Sequence, residues 1–162
     1  MIDSSEMYQR ALNEVKRHKL GNVVATFDED SGDIILAADE WKLKVLINEK
    51  WVGYDFELDK KLTDGVLAGS SLDTDLYPLD FDVDVTREIF DETMLFVRSL
   101  LEDKIFYGVM GKRTVLAVPI NSTTYRVTLI NKRRFLANII KEEWPSEKVS
   151  KHASLRRLIA LK

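Results

Sequence analysis

The chain has no cysteine and only two histidines, three prolines and seven glycines among its 162 residues. Without cysteine there is no disulfide, no thiolate zinc site and no cysteine nucleophile, and a reducing compartment is compatible with the composition. His18 and His152 have no serine, acid or second histidine at a revealing spacing, so neither a catalytic triad nor a multi-histidine metal site is indicated. The glycines form no phosphate-binding series. The sequence therefore predicts a protein that is not an enzyme and holds no cofactor. Catalysis by carboxylates alone stays an open alternative, because acid pairs are identified by their distance in space rather than by their spacing in sequence.

Long apolar runs are also missing. The longest, such as Val115 to Val118, are far shorter than the roughly 20 residues that a membrane-spanning helix needs. The first six residues do not combine a basic flank with an apolar core, as a signal peptide would. Hydrophobic residues make up 45% and charged residues 31% of the chain, which is ordinary for a globular domain. We therefore expect one soluble, cytoplasmic domain spanning 1–162.

Charge is distributed very unevenly along the chain. Residues 1–103 contain 24 acidic and 11 basic residues, a net charge of −13. Residues 104–162 contain 13 basic and 3 acidic residues, a net charge of +10. The overall formal charge of −3 conceals this division. Fields of opposite sign select binding partners rather than folds, so the division is the main functional signal in the sequence.

The first part of the chain predicts a helix followed by an antiparallel meander. Asp3 and Glu6 form a capping box, and apolar residues follow at helical spacing, so a helix is expected from about Asp3 to Leu20. Alternating and β-branched runs then predict four antiparallel strands with one face in water. These strands are expected at 22–28, 33–38, 41–47 and 51–58.

The second part predicts a central helix, three strands and two further helices. A broad apolar stripe indicates a buried helix at about Thr86–Asp103. The strands are expected at 104–110, 113–118 and 124–130, with a type II′ turn at Gly111-Lys112. The C-terminal helices are expected at 132–144 and 147–161. The predicted fold class is α+β, with about seven antiparallel strands in one sheet or two smaller sheets, and helices on one face.

Between the meander and the central helix lies an acidic segment. Residues 62–86 contain six aspartates and no lysine or arginine, and breakers recur in the stretch. We expect residues 59–85 to form a long surface loop, and loops of this length are often functional. The alternation from Asp80 to Asp84 suggests calcium chemistry, but Val85 and Asp91 stand where an EF-hand needs glycine and glutamate. An extended acidic edge is the preferred interpretation, and no metal site is predicted.

The basic C-terminal part offers a second possible surface. Arg126, Lys132, Arg133 and Arg134 could contact phosphates. Single-strand binding would also need exposed aromatic side chains, and the nearby Phe135 and Trp144 both fall on plausible core faces. Pairing of these cations with acids of this chain or of a partner is therefore favoured. Among the other tryptophans, Trp41 is expected in the core and Trp51 remains open.

The favoured hypothesis is a non-catalytic binding module that presents an acidic loop to a basic protein partner, possibly a toxin. Immunity proteins that neutralise bacterial toxins share this physical type, although no sequence motif supports the analogy. The acids would steer association and the apolar residues would anchor the partner. The candidate partner-binding residues are Asp73, Asp75, Leu76, Tyr77, Asp80, Phe81 and Asp82.

Two alternatives remain. The first is a nucleic-acid-associated protein that uses Arg126, Lys132, Arg133 and Arg134. The second is a self-assembling structural protein, in which acidic and basic faces pair head to tail. Membrane association is not expected.

Overall fold

A computed structural model describes residues 4–48, 51–58, 67–73, 83–133 and 136–158 of the chain. The side chains of 67–73, 83–85, 131–133 and 136–138 are not described. Within the described residues there are three helices and ten strands. In chain order they are α1 (Ser4–Lys16), β1 (Val24–Asp28), β2 (Asp33–Ala37), β3 (Trp41–Ile47), β4 (Trp51–Leu58), β5 (Leu67–Asp73), α2 (Val83–Leu101), β6 (Phe106–Met110), β7 (Arg113–Pro119), β8 (Thr124–Arg133), β9 (Leu136–Pro145), α3 (Ser146–Lys151) and β10 (Leu155–Arg157).

The strands form two antiparallel sheets. Sheet A has the order β1-β2-β3-β4-β5 and sheet B the order β10-β6-β7-β8-β9. The α+β class, the four-stranded meander and the possibility of two sheets are confirmed. The expected number of about seven strands is too low, because three segments assigned to loop or helix pair as strands.

The inner face of sheet A packs against α1 and α2. Its alternating apolar positions bury Leu36, Leu43 and Phe56 completely, and the predicted core position of Trp41 is confirmed. Helix α2 also contacts β7, and Leu116 of that strand belongs to the same core as sheet A. The central, buried helix is thus confirmed, and it lies between the two sheets.

The opposite face of sheet B has a smaller core of its own. Val115, Ala117 and Val127 are buried there, and Val149 of α3 packs onto them. Trp144 completes this core and is 6% exposed.

Three sequence predictions are corrected by the pairing. The expected helix at 132–144 is strand β9, which pairs with β8 over ten residues, from Thr124↔Pro145 to Arg133↔Leu136. The expected helix at 147–161 is only the six-residue α3, after which β10 pairs with β6. The expected loop at 59–85 contains β5, paired with β4 from Glu57↔Leu67 to Trp51↔Asp73. In each case tertiary pairing outweighs local pattern.

The predicted hairpin at Gly111-Lys112 is confirmed. Met110 pairs with Arg113, so the loop has two residues. Gly111 has a φ of 61°, whereas Lys112 is not among the residues with positive φ. A positive φ at the first position alone is the type II′ geometry.

Candidate functional site

Three consecutive acidic residues lie in the hairpin between β1 and β2. Asp28, Glu29 and Asp30, here called the acidic turn, are all exposed. Asp28 Oδ1 accepts hydrogen bonds from the backbone N–H groups of Asp30 (3.1 Å) and Ser31 (3.2 Å), which fix the loop. The hydrogen bond from the Ser31 backbone N–H is the main cause that holds the pKa of Asp28 below its usual value. The acidic turn is therefore ordered and carries charge in water.

The acidic turn is attached to α1. The Gln9 side chain donates a hydrogen bond of 3.2 Å to Glu29 Oε1. Tyr8 of α1 is only 3% exposed, and the charges of this hairpin affect the pKa of its hydroxyl. Burial raises the pKa of the Tyr8 hydroxyl first, and Glu29, Asp28 and Asp33 raise it further. The negative field therefore extends from the hairpin into the neighbouring helix.

An open groove of about 660 Å³ lies beside the acidic turn. Its walls include Tyr8, Glu29, Asp33 and the half-buried Trp51. Lys44 lies 3.8 Å from Asp33 Oδ2 and reduces the charge there only locally. Trp51, whose position was open from the sequence, is thus half-buried and lines the groove. The groove combines carboxylates with the aromatic residues Tyr8 and Trp51, and tryptophan and tyrosine are frequent anchors of protein interfaces.

The same end of sheet A carries Asp73, which belongs to the acidic segment. β1 ends at Asp28 and β5 ends at Asp73, and the pairing aligns both with the end where β4 begins at Trp51. Asp73 is the register partner of Trp51, the residue that lines the groove. The remaining predicted partner-binding residues lie outside the described residues. They are Asp75, Leu76, Tyr77, Asp80, Phe81 and Asp82.

The sequence predicts the partner surface only in the acidic segment, with residues 29–32 as the connection between two predicted strands. The acidic turn was not predicted as part of the partner surface, because acidic residues are common in turns for structural reasons. The run of three successive acids was the feature of the sequence that could have indicated it, since a tight turn does not need three of them. What the sequence could not show is that this turn and Asp73 share one end of a sheet.

The basic residues proposed for phosphate contact do not form one described cluster. Arg126 on β8 donates to Glu92 Oε1 of α2 at 2.8 Å. Lys132 and Arg133 follow on β8, where they pair with Ala137 and Leu136. Their side chains are not described, and Arg134 lies outside the described residues.

A second cavity, of about 220 Å³, lies where α2 meets sheet B and β4. Arg126 and Lys141 contribute cations to it, while Leu95 and Val118 contribute apolar surface. Tyr54 lines it and stacks on Phe96 with ring centroids 4.5 Å apart. Burial raises the pKa of the Tyr54 hydroxyl strongly, Glu92 adds to the rise and Arg126 opposes it. The Tyr54 hydroxyl therefore stays protonated in this cleft.

Trp144 is not available for base stacking. Its ring is stacked on His152 (centroids 5.7 Å apart), and the Lys148 ammonium lies 3.8 Å from its centroid. Its indole N–H donates to Glu142 Oε2 at 2.9 Å. Phe135, the other aromatic named from the sequence, lies outside the described residues.

Among the described residues, no group of three or more His, Asp or Glu side chains is arranged to hold a metal ion. Across the same part of the chain, no helix is long and apolar enough to span a membrane. Comparison with known proteins finds no matching family model, no matching curated protein and no matching solved structure. The function must therefore be argued from the surfaces of this chain alone.

Proposed function

We propose that the chain is a non-catalytic binding module that presents the acidic end of sheet A to a basic protein partner. One observation carries this proposal. The acidic turn and Asp73, where the aspartate-rich segment continues, occupy the same end of one sheet. They end the two outer strands, β1 and β5, and a groove lined by Glu29 and Trp51 lies at the same end of the sheet.

The physical role of this surface follows from its exposure. Exposed carboxylates contribute little to affinity individually, but together they accelerate encounter with an oppositely charged partner. Affinity would come from partly buried aromatic surface such as Trp51. Immunity proteins that inhibit toxins are similar to this chain in charge and size, and the analogy extends no further.

The test measures association kinetics with a partner that is co-purified and identified by mass spectrometry. Two variants remove charge from the surface: Glu29→Gln with Asp30→Asn, and charge reversal at Asp73, Asp75 and Asp80. Asp28 is kept because its carboxylate holds the turn. Both variants should slow association several-fold at low salt, and the difference should shrink as salt screens the field.

A matched control removes two acids from sheet B and α3, namely Glu143→Gln with Glu147→Gln. Both residues are exposed. This control should leave the association rate unchanged. A partner that binds equally fast to all variants and at all salt concentrations would contradict the proposal.

The nucleic-acid alternative is not favoured by a specific observation. Arg126 is paired with Glu92, and Trp144 is covered. Phosphate contacts predict a steep salt dependence, so a titration with short DNA and RNA at low salt tests this alternative directly.

A further inference from the structure

Each sheet has two outer strands, and three of these four strands carry features that discourage pairing. β9 carries Lys141, Glu142 and Glu143 and ends at Pro145. β10 is three residues long, and two of them are arginine. β5 contains Gly69 and is contacted by α2. Charged side chains, proline, short length and cover by a helix are the usual protections of a sheet edge.

β1 has fewer of these protections: its one charged residue is Asp28 at its end, and α1 contacts it through Lys16, whose ammonium lies 5.5 Å from the Phe27 ring centroid. Its sequence, Val24-Ala25-Thr26-Phe27-Asp28, has no lysine, arginine or proline, and it pairs only with β2 among the described strands. Val24 is 66% exposed and Phe27 is 39% exposed. The two large apolar side chains lie on opposite faces of the strand because their positions differ by an odd number. Among the described strands, β1 thus has one edge without a partner, and it carries an apolar side chain on each face.

The charge next to β1 indicates what would pair with it. The strand ends in the acidic turn, which is exposed. A second copy of the chain, paired antiparallel through its own β1, would set Asp28 of each copy opposite Val24 of the other and would bring no lysine or arginine of that strand to either acidic turn. An extended segment with lysine or arginine among apolar residues would complement both the carboxylates and the exposed Val24 and Phe27.

We propose that β1 is an acceptor strand, to which an extended basic segment of the partner adds as a sixth strand of sheet A. Backbone hydrogen bonds would supply affinity, and the alternating side chains would supply specificity. This inference rests on the proposed function and gives it a binding mode. It does not depend on the acidic segment that follows Asp73.

The probe is a capped heptapeptide of alternating lysine and valine, titrated into the full chain and followed by NMR. Binding should shift the resonances of Val24–Asp28 and slow the exchange of their amide hydrogens. The same peptide with N-methyl groups on alternate residues keeps its charge but cannot complete the ladder, so it should not protect these amides. A version with glutamate in place of lysine should not bind.

Chain variants provide the second arm. Val24→Lys with Thr26→Lys places cations on exposed positions of β1 and should weaken the lysine peptide about 10-fold, since like charges across two positions and lost apolar contact each contribute. The matched control, Val109→Lys with Ile139→Lys, adds the same charge at positions that are 50% and 54% exposed. It should bind the peptide with little change.

Several outcomes would overturn the acceptor strand. These are equal binding of the N-methylated peptide, shifts that map away from β1, no protection at millimolar peptide, or a chain that sediments as a dimer lost in the Val24/Thr26 variant. The co-purified partner separates this inference from the proposed function. If Glu29→Gln with Asp30→Asn slows its association while Val24→Lys with Thr26→Lys does not weaken it, the binding module stands and strand addition fails.

Discussion

At the scale of single residues, Glu14 joins the two helices that cover sheet A. Its carboxylate on α1 is 7% exposed. Oε1 accepts from Arg17 Nη2 at 2.7 Å and from Arg98 Nε of α2 at 3.3 Å. We expect Glu14→Gln to lower the free energy of unfolding by about 1–2 kcal/mol, because Arg17 and Arg98 lose their charged acceptor while both guanidinium groups remain largely in water. Urea denaturation measures this.

Glu88→Gln is the matched control for Glu14. Glu88 is exposed on α2, so the same substitution should change stability by less than about 0.5 kcal/mol. A double-mutant cycle with Arg98→Gln isolates the contact between the helices. Equal stability losses in the two glutamate variants would show that the contact between Glu14 and Arg98 does not matter.

Tyr54 provides a prediction of pH dependence. Because burial raises its pKa in the folded chain above the ordinary value of 10.0, the folded state retains the proton that the unfolded state loses. The stabilisation is complete below pH 10 and declines as pH rises from there toward the folded pKa. The decline has a slope of at most about 1.4 kcal/mol per pH unit for one group. Urea midpoints between pH 8 and pH 11 measure it.

Tyr54→Phe keeps the ring that stacks on Phe96 but removes the titrating hydroxyl. The variant should therefore lose stability less steeply above pH 10 than the parent chain. Parallel curves for the two proteins would mean that other groups account for the alkaline loss.

At the scale of elements, the strand meander and the central helix could be predicted because local pattern and tertiary environment agree. Trp41 and Leu43 alternate inward on β3 as the sequence indicates. β9 could not be predicted as a strand in this way, because Leu136, Ile139 and Ile140 have the spacing of a helix. What makes the segment a strand is the ten-residue partner β8, which no local window contains. The acidic surface has the same origin, since strand pairing alone brings Asp73 to the end that bears the acidic turn.

A substitution at Gly108 of β6 tests whether the close approach of the backbone at Ser154 is needed for β10 to pair with β6. A Cβ on Gly108 would lie 1.9 Å from the backbone oxygen of Ser154, just before β10. Gly108→Ala should lower the free energy of unfolding by about 2–3 kcal/mol, because backbone must move away from backbone. It should also speed amide exchange at Leu155–Arg157, the residues that pair with β6. Both effects are measurable by denaturation and NMR.

Gly111→Ala is the matched comparison for Gly108. A Cβ there would meet no atom within 4 Å, so only the positive φ of 61° penalises the substitution. We expect a loss of about 1 kcal/mol and unchanged exchange at β10. If the two alanine variants behaved alike, the close approach of Ser154 would not be what restricts Gly108.

At the scale of the whole molecule, the uneven charge of the sequence corresponds to a division between sheets. The strands of sheet A and both of its covering helices come from the segment with a net charge of −13, and sheet B comes from the segment with a net charge of +10. The ion pair between Arg126 and Glu92 lies at the boundary, where α2 meets β8. Lys104 and Glu102 form a second ion pair between the two segments, and with only these two pairs across the boundary among the described residues we expect each sheet to keep its own sign.

This division predicts that at pH 7 and low salt the chain, despite a formal net charge of −3, is retained on both anion- and cation-exchange resins. Glu29→Gln with Asp30→Asn should shorten retention only on the anion exchanger. Arg156→Gln with Arg157→Gln, two exposed positions on β10, should shorten it only on the cation exchanger. Retention that follows net charge alone, with each pair of substitutions affecting both resins, would mean that the two fields merge at the surface. A partner could then not be steered to the acidic end of sheet A.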